Sequence, residues 1–178
     1  MHPSRMVTSP TVPGSVQVRP ATDDDTAEIL RLNALEVPLV SAMDRERFEL
    51  LRGWADRLLV AEVDGRFAGF VMTFGPGTAY DSPNYRWFGE RFGSDFYYLD
   101  RVAVDPAQRR RGVAGAVYAE VEALAASYGR LALEVNIDPP NEPSLAFHRR
   151  RGYVEVGRLG EPGHEVVMLE LPLVGGPR

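Results

Sequence analysis

The sequence predicts a single domain of mixed α/β class, in which helices flank one central, partly antiparallel sheet. Three observations support this class. Strand-like and helix-like segments follow one another in the order β-α-α-β-β-β-α-β-α-β-β. Asp64-Gly65 lies between two apolar runs and is a two-residue hairpin signal. A basic, glycine-containing loop at 108–115 separates an aliphatic, strand-like run from an Ala-rich, helix-like run.

The first half of the domain is predicted to hold three strands and two helices. The acidic run at 23–25 favours a helix start, because carboxylates stabilise the positive end of a helix. The second helix places Phe48, Leu51 and Trp54 on one face. The expected elements are a strand at 16–19, a helix from 23 to about 36, a helix at about 41–55, and strands at 58–63 and 66–74.

The second half is predicted to alternate strands and helices. Asn141 and Pro143 are typical of a helix start, and Gly152 is typical of a helix end. The aromatic-rich segment at 76–95 is expected to be a long loop, a feature that is often functional in a compact domain. The other expected elements are strands at 97–104, 131–136, 153–156 and 164–171, and helices at 113–128 and 142–151.

Composition limits the class of protein. With 178 residues, 44% of them hydrophobic, the chain suits one globular domain that buries roughly 70% of its unfolded surface. The absence of cysteine excludes disulfides, a thiol nucleophile and cysteine metal sites, and the three histidines are not spaced as metal ligands, so no metal is expected. A net charge of −5 argues against a nucleic-acid partner, and no apolar run reaches the roughly 18 residues of a membrane span.

The two ends of the chain are expected to lie outside the domain. Residues 1–15 are proline-rich and lack the apolar core of a signal peptide, so we expect a flexible tail and a cytoplasmic protein. The domain is expected over 16–173, followed by a short tail at 174–178. Edge pairing or strand exchange at 164–171 offers a route to a homodimer.

The loop at 108–115 has the features of a diphosphate-binding turn. A helix start offers unpaired backbone N–H groups and about half a unit of positive charge. Gly112 lets an anion approach the backbone, Ala114 and Gly115 keep that approach uncrowded, and three arginines add forked donors for phosphate. A solvated surface run, in which the glycine only eases a turn, is the alternative. A P-loop does not fit, because no Gly-Lys-Ser/Thr follows, and the dinucleotide fingerprint is not apparent either.

Two ordered blocks of sequence share the arrangement of a strand end, a loop and a helix. They are Arg109-x-x-Gly112-x-Ala114, after a Val-x-Val-Asp-Pro strand end, and Asn141-x-x-Ser144-x-x-Phe147-His148-x-x-x-Gly152-Tyr153. Together they resemble the signatures of the GNAT superfamily of N-acetyltransferases, and the resemblance covers residues 17–172. It implies a mixed, mostly antiparallel sheet of about seven strands flanked by about four helices, in which the strands at 97–104 and 131–136 run parallel and splay apart.

The resemblance also implies a site for acetyl-CoA. In that family the pantetheine arm lies between the splayed strands, where unpaired backbone groups can bond its amides. The residues implied to hold acetyl-CoA are Val102, Ala103 and Val104 along the gap, Arg109, Arg110, Arg111, Gly112, Val113, Ala114 and Gly115 at the diphosphate, and Asn141 and His148 beside the pantetheine arm.

Acyl transfer from a thioester to an amine needs a base for the ammonium proton, donors for the oxyanion and an acid for the departing sulfur. By resemblance, a backbone N–H within 102–104 is the oxyanion donor. Glu134 lies where N-terminal acetyltransferases of ribosomal proteins place a catalytic glutamate, so we expect it to be the general base, through water. The alternative is a glutamate on the solvent face of a strand.

His148 departs from the family pattern, in which the usual residue is a tyrosine that protonates the thiolate. A neutral imidazole can donate an N–H bond to sulfur, and this is the role expected of His148. Two alternatives remain open. His148 either contacts the cofactor alone, or it caps or packs while water or a nearby tyrosine, such as Tyr80, Tyr85 or Tyr153, protonates the sulfur.

The acceptor amine is expected beside the strand that carries Asp100. Asp100 is a candidate to bind its ammonium group, although the neighbouring Arg101 can equally neutralise that carboxylate as a structural ion pair. In the aromatic segment, Tyr80, Asp81 and Tyr85 are candidates to line the acceptor pocket. The alternative is that these rings close a hydrophobic mini-core over the sheet.

These observations predict an enzyme that moves the acetyl group of acetyl-CoA to a primary amine of a small-molecule or amino-acid-like acceptor, by direct attack in a ternary complex. A peptide or protein N-terminus or lysine is the second acceptor class. A domain that binds acyl-CoA without turnover is the remaining alternative.

Overall fold

The computed structural model describes residues 14–174, which form a seven-stranded sheet flanked by five α-helices. The tails expected at 1–15 and 174–178 lie almost wholly outside the described residues. The strands are β1 (Val16–Pro20), β2 (Arg57–Val63), β3 (Arg66–Phe74), β4 (Tyr97–Val104), β5 (Arg130–Asp138), β6 (Val154–Leu159) and β7 (Glu165–Pro172). The helices are α1 (Thr26–Leu35), α2 (Arg45–Trp54), α3 (Pro83–Phe92), α4 (Val113–Ala125) and α5 (Glu142–Arg150).

The sheet is mixed and mostly antiparallel, as the sequence predicted. Its strand order is β1-β2-β3-β4-β5-β7-β6, and β4 and β5 are its parallel neighbours. The β2–β3 hairpin turns at Asp64 and Gly65, whose φ values of 52° and 72° are both in the left-handed region. Two successive residues of this kind form a turn that matches the right-handed twist of a hairpin. The dipeptide therefore fixes the register in which Val63 faces Arg66.

The parallel strands β4 and β5 separate soon after they begin. Tyr97 pairs with Leu131 and Tyr98 with Ala132, and no pair follows, although β4 continues to Val104. The opposite edges of the two strands remain paired, β4 with β3 and β5 with β7. Backbone groups on the facing edges beyond Tyr98 are therefore open to a ligand. The splayed pair implied by the resemblance is confirmed.

Each face of the sheet packs against its own layer of helices. On one face, Val117 and Val121 of α4 lie in a core with Leu131. On the other, Leu32 of α1 and Phe48 of α2 share a core with aromatic side chains from α3 and β4. Burying a side chain of this size contributes about 1.5–3 kcal/mol. Packing on both faces therefore stabilises the sheet on either side of the gap between β4 and β5.

The segment after β3 contains a helix where a long loop was expected, so the count of about four helices was one short. Ser82 caps α3 by accepting a hydrogen bond from the Tyr85 N–H at 3.3 Å, and Pro83 lies in the first turn. Tyr85, Phe88 and Phe92 are spaced at i, i+3 and i+7, which is the spacing of a helix face. The aromatic composition of this segment favours a pocket, whereas the spacing of the same rings predicts a helix face.

Simple edge pairing through 164–171 is wrong as a route to a homodimer. In this sheet β7 is an interior strand, because β5 and β6 occupy its two sides. Strands β1 and β6 form the edges instead. None of the helices within residues 14–174 is long and apolar enough to cross a membrane.

Candidate active site

A cavity of about 360 Å³ opens where β4 and β5 separate. Its wall is built by the α1–α2 connection, by the loop before α3 and the first turn of α3, by β4, β5 and β7, and by α4 and α5. It brings three carboxylates, an imidazole and two phenols into one enclosure. The polar lining residues are Glu36, Ser41, Tyr80, Ser82, Asn84, Asp100, Arg101, Tyr118, Glu134, Asn136, Asn141, Ser144 and His148.

Glu134 lies on β5 at the cavity wall, where Tyr98 of β4 holds its carboxyl group. The Tyr98 hydroxyl is 2.8 Å from Oε2 and 3.0 Å from Oε1 of Glu134. Burial, and then the nearby charge of Asp100, raise the pKa of Glu134 from 4.5 to about 8, while the hydrogen bond from Tyr98 opposes that rise. A carboxyl group with this pKa gains and loses a proton near neutral pH, as a general base must.

Asp100 of β4 is bonded on both carboxylate oxygens. Oδ1 accepts from the Tyr80 hydroxyl at 2.6 Å, and Oδ2 accepts from Arg101 Nε at 3.1 Å. Burial raises the pKa of Asp100, while Arg101 and Tyr80 oppose that rise. Arg101 also donates to Asn33 Oδ1 at 3.0 Å and to the Ser41 carbonyl at 2.7 Å. The charge of Asp100 is therefore balanced by a guanidinium that also ties the α1–α2 connection to the cavity.

His148 of α5 is buried, and both of its ring nitrogens are hydrogen-bonded inside the protein. Nδ1 is 2.7 Å from the Ser144 carbonyl oxygen, and Nε2 is 2.7 Å from the Tyr118 hydroxyl. A carbonyl oxygen only accepts, so the proton of the neutral ring is on Nδ1. Burial lowers the pKa of His148, which favours that neutral form. In this arrangement, neutral His148 therefore has no free N–H group to donate to the sulfur.

The loop before α4 has the backbone conformation of an anion site. Gly112 is the N-cap of α4, with φ 79° and ψ 13°, a left-handed conformation that glycine adopts without strain. The Ala116 N–H donates to the Gly112 carbonyl at 3.1 Å. The N–H groups of Val113, Ala114 and Gly115 precede that bond and point out at the positive end of the helix.

The arginines of this loop make surface ion pairs that a phosphate can replace. Arg109 donates to Glu36 at 3.3 Å, and Arg111 donates to Asp64 at 3.1 Å. Exposed pairs of this kind contribute about 0–1 kcal/mol. Arg110 has a positive φ of 62°, which is uncommon for a side chain other than glycine. Unpaired backbone amides, together with arginines whose weak ion pairs a phosphate can replace, suit the binding of a diphosphate.

Asp81 and Tyr85 lie outside the cavity wall, in contrast to the role suggested by the sequence. Asp81 Oδ1 is 2.5 Å from Arg47 Nη2, and the Asp81 side chain is 52% exposed. The Tyr85 hydroxyl donates to the Gly75 carbonyl at 2.7 Å, and its ring is buried in an aromatic cluster. Tyr80 does line the cavity. The mini-core interpretation thus describes Tyr85, and a surface ion pair describes Asp81.

Among the residues that surround Glu134 and His148, Tyr98, Asn84 and Tyr118 were not sequence candidates. Tyr98 precedes Asp100 by two positions, and side chains two apart on a strand share a face, so this signal was available. Tyr118 follows Ala114 by four positions, which places it on the same face of α4 as Ala114. Asn84 gave no such signal, because α3 itself was not expected.

Tyr153, one of the tyrosines considered as an alternative acid, belongs to a different region. Its hydroxyl donates to Glu122 at 3.1 Å, and the residue lines a separate cavity between α5 and the sheet. Among the described residues, no group of three His, Asp or Glu side chains is placed to hold a metal ion.

Comparison with known proteins identifies the family. Residues 24–153 match the model of the acetyltransferase (GNAT) family. The chain belongs to this family. It is 31% identical over 143 residues to L-2,4-diaminobutyric acid acetyltransferase of Nocardia farcinica, covering 78% of this chain and 67% of that protein. It is 26% identical over 159 residues to phosphinothricin N-acetyltransferase of Streptomyces viridochromogenes, covering 84% and 80%.

The GNAT fold is also shared with solved structures. The crystal structure of Ard1 from Thermoplasma volcanium has a TM-score of 0.70 with this chain at 17% identity, covering 89% of this chain and 97% of that one. The present chain is therefore an acyl-CoA-dependent N-acetyltransferase of the GNAT family. Its open strand edges and its loop at 108–115 are candidates to bind such a donor.

Proposed function

We propose that this GNAT enzyme transfers the acetyl group of acetyl-CoA to a primary amine of a small, amino-acid-like acceptor, by direct attack in a ternary complex. The observation that carries the proposal is Glu134, a carboxyl group that no ion pair balances within residues 14–174, beside the opened edges of β4 and β5. Two relatives are named for the acetylation of small amines of this type, diaminobutyric acid and phosphinothricin.

Acetyl-CoA would be held mainly by backbone groups. The amides at the start of α4 receive the diphosphate, and Arg109, Arg110 and Arg111 add charge. The edge at 102–104 bonds the amides of the pantetheine arm in the manner of an added strand. Asn141 caps α5 through its Oδ1, at 3.3 Å from the Ser144 N–H, so its side-chain NH₂ is the group that it can offer to the same arm.

The acceptor would enter at the end of the cavity formed by Tyr80 and Asp100. A primary amine arrives as an ammonium ion, and the ionised form of Glu134 attracts it and takes one proton, directly or through water. The neutral amine then attacks the thioester carbon. Because Asp100 is balanced by Arg101, the ammonium is drawn to Glu134, where the proton must leave.

The oxyanion that develops on the thioester carbonyl needs donors that are already in place. Backbone N–H groups of 102–104 on the edge that faces β5 can provide them, since β4 and β5 are unpaired there. A removed donor of this type typically costs about 10²–10³-fold in kcat.

The proposal is tested by following thiol release from acetyl-CoA with a panel of acceptors. The panel contains L-2,4-diaminobutyrate, phosphinothricin, simple alkylamines, and peptides with free N-termini or lysine. We expect acceptor-dependent thiol release with the small amines, and kcat/KM values at least about tenfold higher for them than for peptides, a difference of about 1.4 kcal/mol. Preference for a peptide would establish the second acceptor class, and the absence of thiol release with every amine would refute the proposal.

A further inference from the structure

A buried pair of side chains connects α4 and α5 at the wall of the cavity. Tyr118 is 3% exposed and His148 is 4% exposed, and both line the cavity. The Tyr118 hydroxyl is 2.7 Å from His148 Nε2, and His148 Nδ1 is 2.7 Å from the Ser144 carbonyl oxygen. Since that carbonyl fixes the imidazole proton on Nδ1, Nε2 must accept and Tyr118 must donate.

This order of donors determines what Tyr118 can do. Its hydroxyl hydrogen is donated to His148, so the lone pairs of its oxygen remain free to accept a hydrogen bond from another group. The oxygen can take up a further proton when its own proton moves to Nε2 of His148. The imidazole ring then carries a proton on each nitrogen, and Tyr118 is a neutral hydroxyl throughout. The pair can therefore take one proton and return it at the same atom.

Acetyl transfer to an ammonium acceptor requires two proton movements. The first proton leaves the ammonium ion, and Glu134 is the proposed base for it. When the amine nitrogen has bonded to the thioester carbon, that nitrogen still has a proton to lose, and the departing sulfur needs one. Glu134 holds the first proton by then, so a second group has to handle the second one.

We propose that Tyr118 is a catalytic residue that carries this second proton from nitrogen to sulfur, with His148 as the positioning residue that holds it in between. The inference rests on the proposed function. As the N–H bond breaks, its proton passes to the Tyr118 oxygen and the Tyr118 proton passes to Nε2. As the C–S bond breaks, its electron pair goes to sulfur, Nε2 returns its proton to Tyr118, and the Tyr118 hydroxyl protonates the sulfur. The products are an amide and a thiol, and the pair ends neutral as it began.

The surroundings of the pair suit a short-lived imidazolium. Burial lowers the pKa of His148, so the ring is neutral at rest and returns its proton readily. Burial also raises the pKa of the Tyr118 hydroxyl, so a path that avoids a phenolate is favoured. Three charged groups act on the Tyr118 hydroxyl. They are Arg151, whose guanidinium carbon is 5.6 Å from the Tyr118 ring centroid, Glu122, which pairs with Arg151 at 2.6 Å, and Glu134.

The pair also accounts for the departure of this chain from the family pattern. The resemblance places a tyrosine at position 148, whereas here that position is a histidine whose Nε2 is bonded to a phenol from α4. The phenol is thus present in the cavity, but a different helix supplies it. The histidine does not replace the hydroxyl; it orients one.

The first test removes the Tyr118 hydroxyl and compares it with a matched control. Tyr153→Phe also deletes a buried hydroxyl, and its ring lies 5.0 Å from that of His148, but Tyr153 is bonded to Glu122 and lines another cavity. We expect kcat for the best acceptor to fall about 10²-fold in Tyr118→Phe, within the usual range for proton-transfer groups. The KM for acetyl-CoA should change less than about twofold, and Tyr153→Phe should keep kcat within about threefold.

The second test is a double-mutant cycle with His148→Gln, which can accept a hydrogen bond from Tyr118 but cannot hold a proton. Because the two residues act as one path, the double variant should be no slower than the slower single variant. Additive losses in kcat, or a loss in Tyr118→Phe matched by Tyr153→Phe, would assign the pair a structural role and overturn the inference. An active parent with full kcat in Tyr118→Phe would overturn it too, while a parent without thiol release would instead refute the proposed function.

Discussion

The two ends of the cavity are built in different ways. At the proposed donor end, which is the loop at 108–115 and the strand edges beyond it, the groups available for binding are backbone amides set by one local run of sequence. At the acceptor end, the contacts join distant parts of the chain, such as Tyr80 with Asp100 and Arg101 with Ser41. A short motif can encode a backbone cradle, whereas a side-chain pocket depends on how whole elements pack. The donor end is therefore the part that a sequence motif can predict, and the acceptor end is the part that needs the folded structure.

The largest effect is expected where the two ends meet, at Glu134. Glu134→Gln removes the proposed base but keeps the size of the side chain, so kcat should fall about 10²–10⁴-fold. Because the base must be ionised, kcat/KM of the parent should rise with pH through about 8. Steady-state rates from pH 6 to 9.5 check both points. An unchanged pH profile in the variant would show that another group sets the limb.

Thermal unfolding gives an independent check on the same residue. The folded pKa of Glu134 is raised from 4.5 to about 8, so the folded state binds the proton more tightly than the unfolded state. Its effect on stability is therefore absent below about pH 4.5, destabilising above it, and complete above about pH 8. The Tm of the parent should fall relative to Glu134→Gln across that window, and parallel Tm curves would contradict the raised pKa.

The next effect sharpens the donor end. Gly112→Asp places a carboxylate and a side chain at φ 79° next to the proposed diphosphate, so the KM for acetyl-CoA should rise about 10–100-fold, or about 1.4–2.8 kcal/mol. Gly163→Asp is the matched control, because Gly163 also has a positive φ, of 89°, and lies in an exposed turn. Calorimetric titration with acetyl-CoA checks the difference, and equal affinities for the two variants would remove the diphosphate from this loop.

The smallest effect tests the acceptor end. Asp100→Asn removes the charge that helps to raise the pKa of Glu134, so the limb of kcat/KM near pH 8 should move to lower pH. The stability of the Asp100→Asn variant should also fall, because Arg101 loses a buried partner. Asp81→Asn is the control: it breaks an exposed pair with Arg47, and the acceptor KM and the pH limb should both stay within about twofold. If the rise of kcat/KM stays near pH 8 in Asp100→Asn, Asp100 does not influence the pKa of Glu134.

The sequence was sufficient for the sheet and for four of the five α-helices, and it predicts a donor end from one short motif. Strand alternation, the Asp64-Gly65 turn and the two ordered blocks have local physical causes, so they can be read without contacts. Glu134 could also be nominated, through the family resemblance, which implies a catalytic glutamate at that position of the strand. Its hydrogen bond to Tyr98 and the rise in its pKa could not, since both depend on the exact separation of β4 and β5.

The acceptor end could be predicted only in part. Asp81 and Tyr85 share the composition of a pocket, but Arg47, which is 34 positions from Asp81, neutralises that carboxylate, and the Gly75 carbonyl takes the Tyr85 hydroxyl. The role of His148 was open for the same reason. Which of its nitrogens carries the proton is decided by the Ser144 carbonyl and by Tyr118, which is 30 positions away.

The gap between β4 and β5 divides the sheet into two hydrogen-bonded ladders. Strands β1 to β4 form the first, and β5, β7 and β6 form the second, and two residue pairs join them. A thioester arm lying in the gap would complete the missing rungs, so the cosubstrate would become part of the architecture while it is bound. Binding of acetyl-CoA would make the sheet more rigid, and release of coenzyme A would make it more flexible again. Each turnover would therefore be coupled to the rigidity of the sheet.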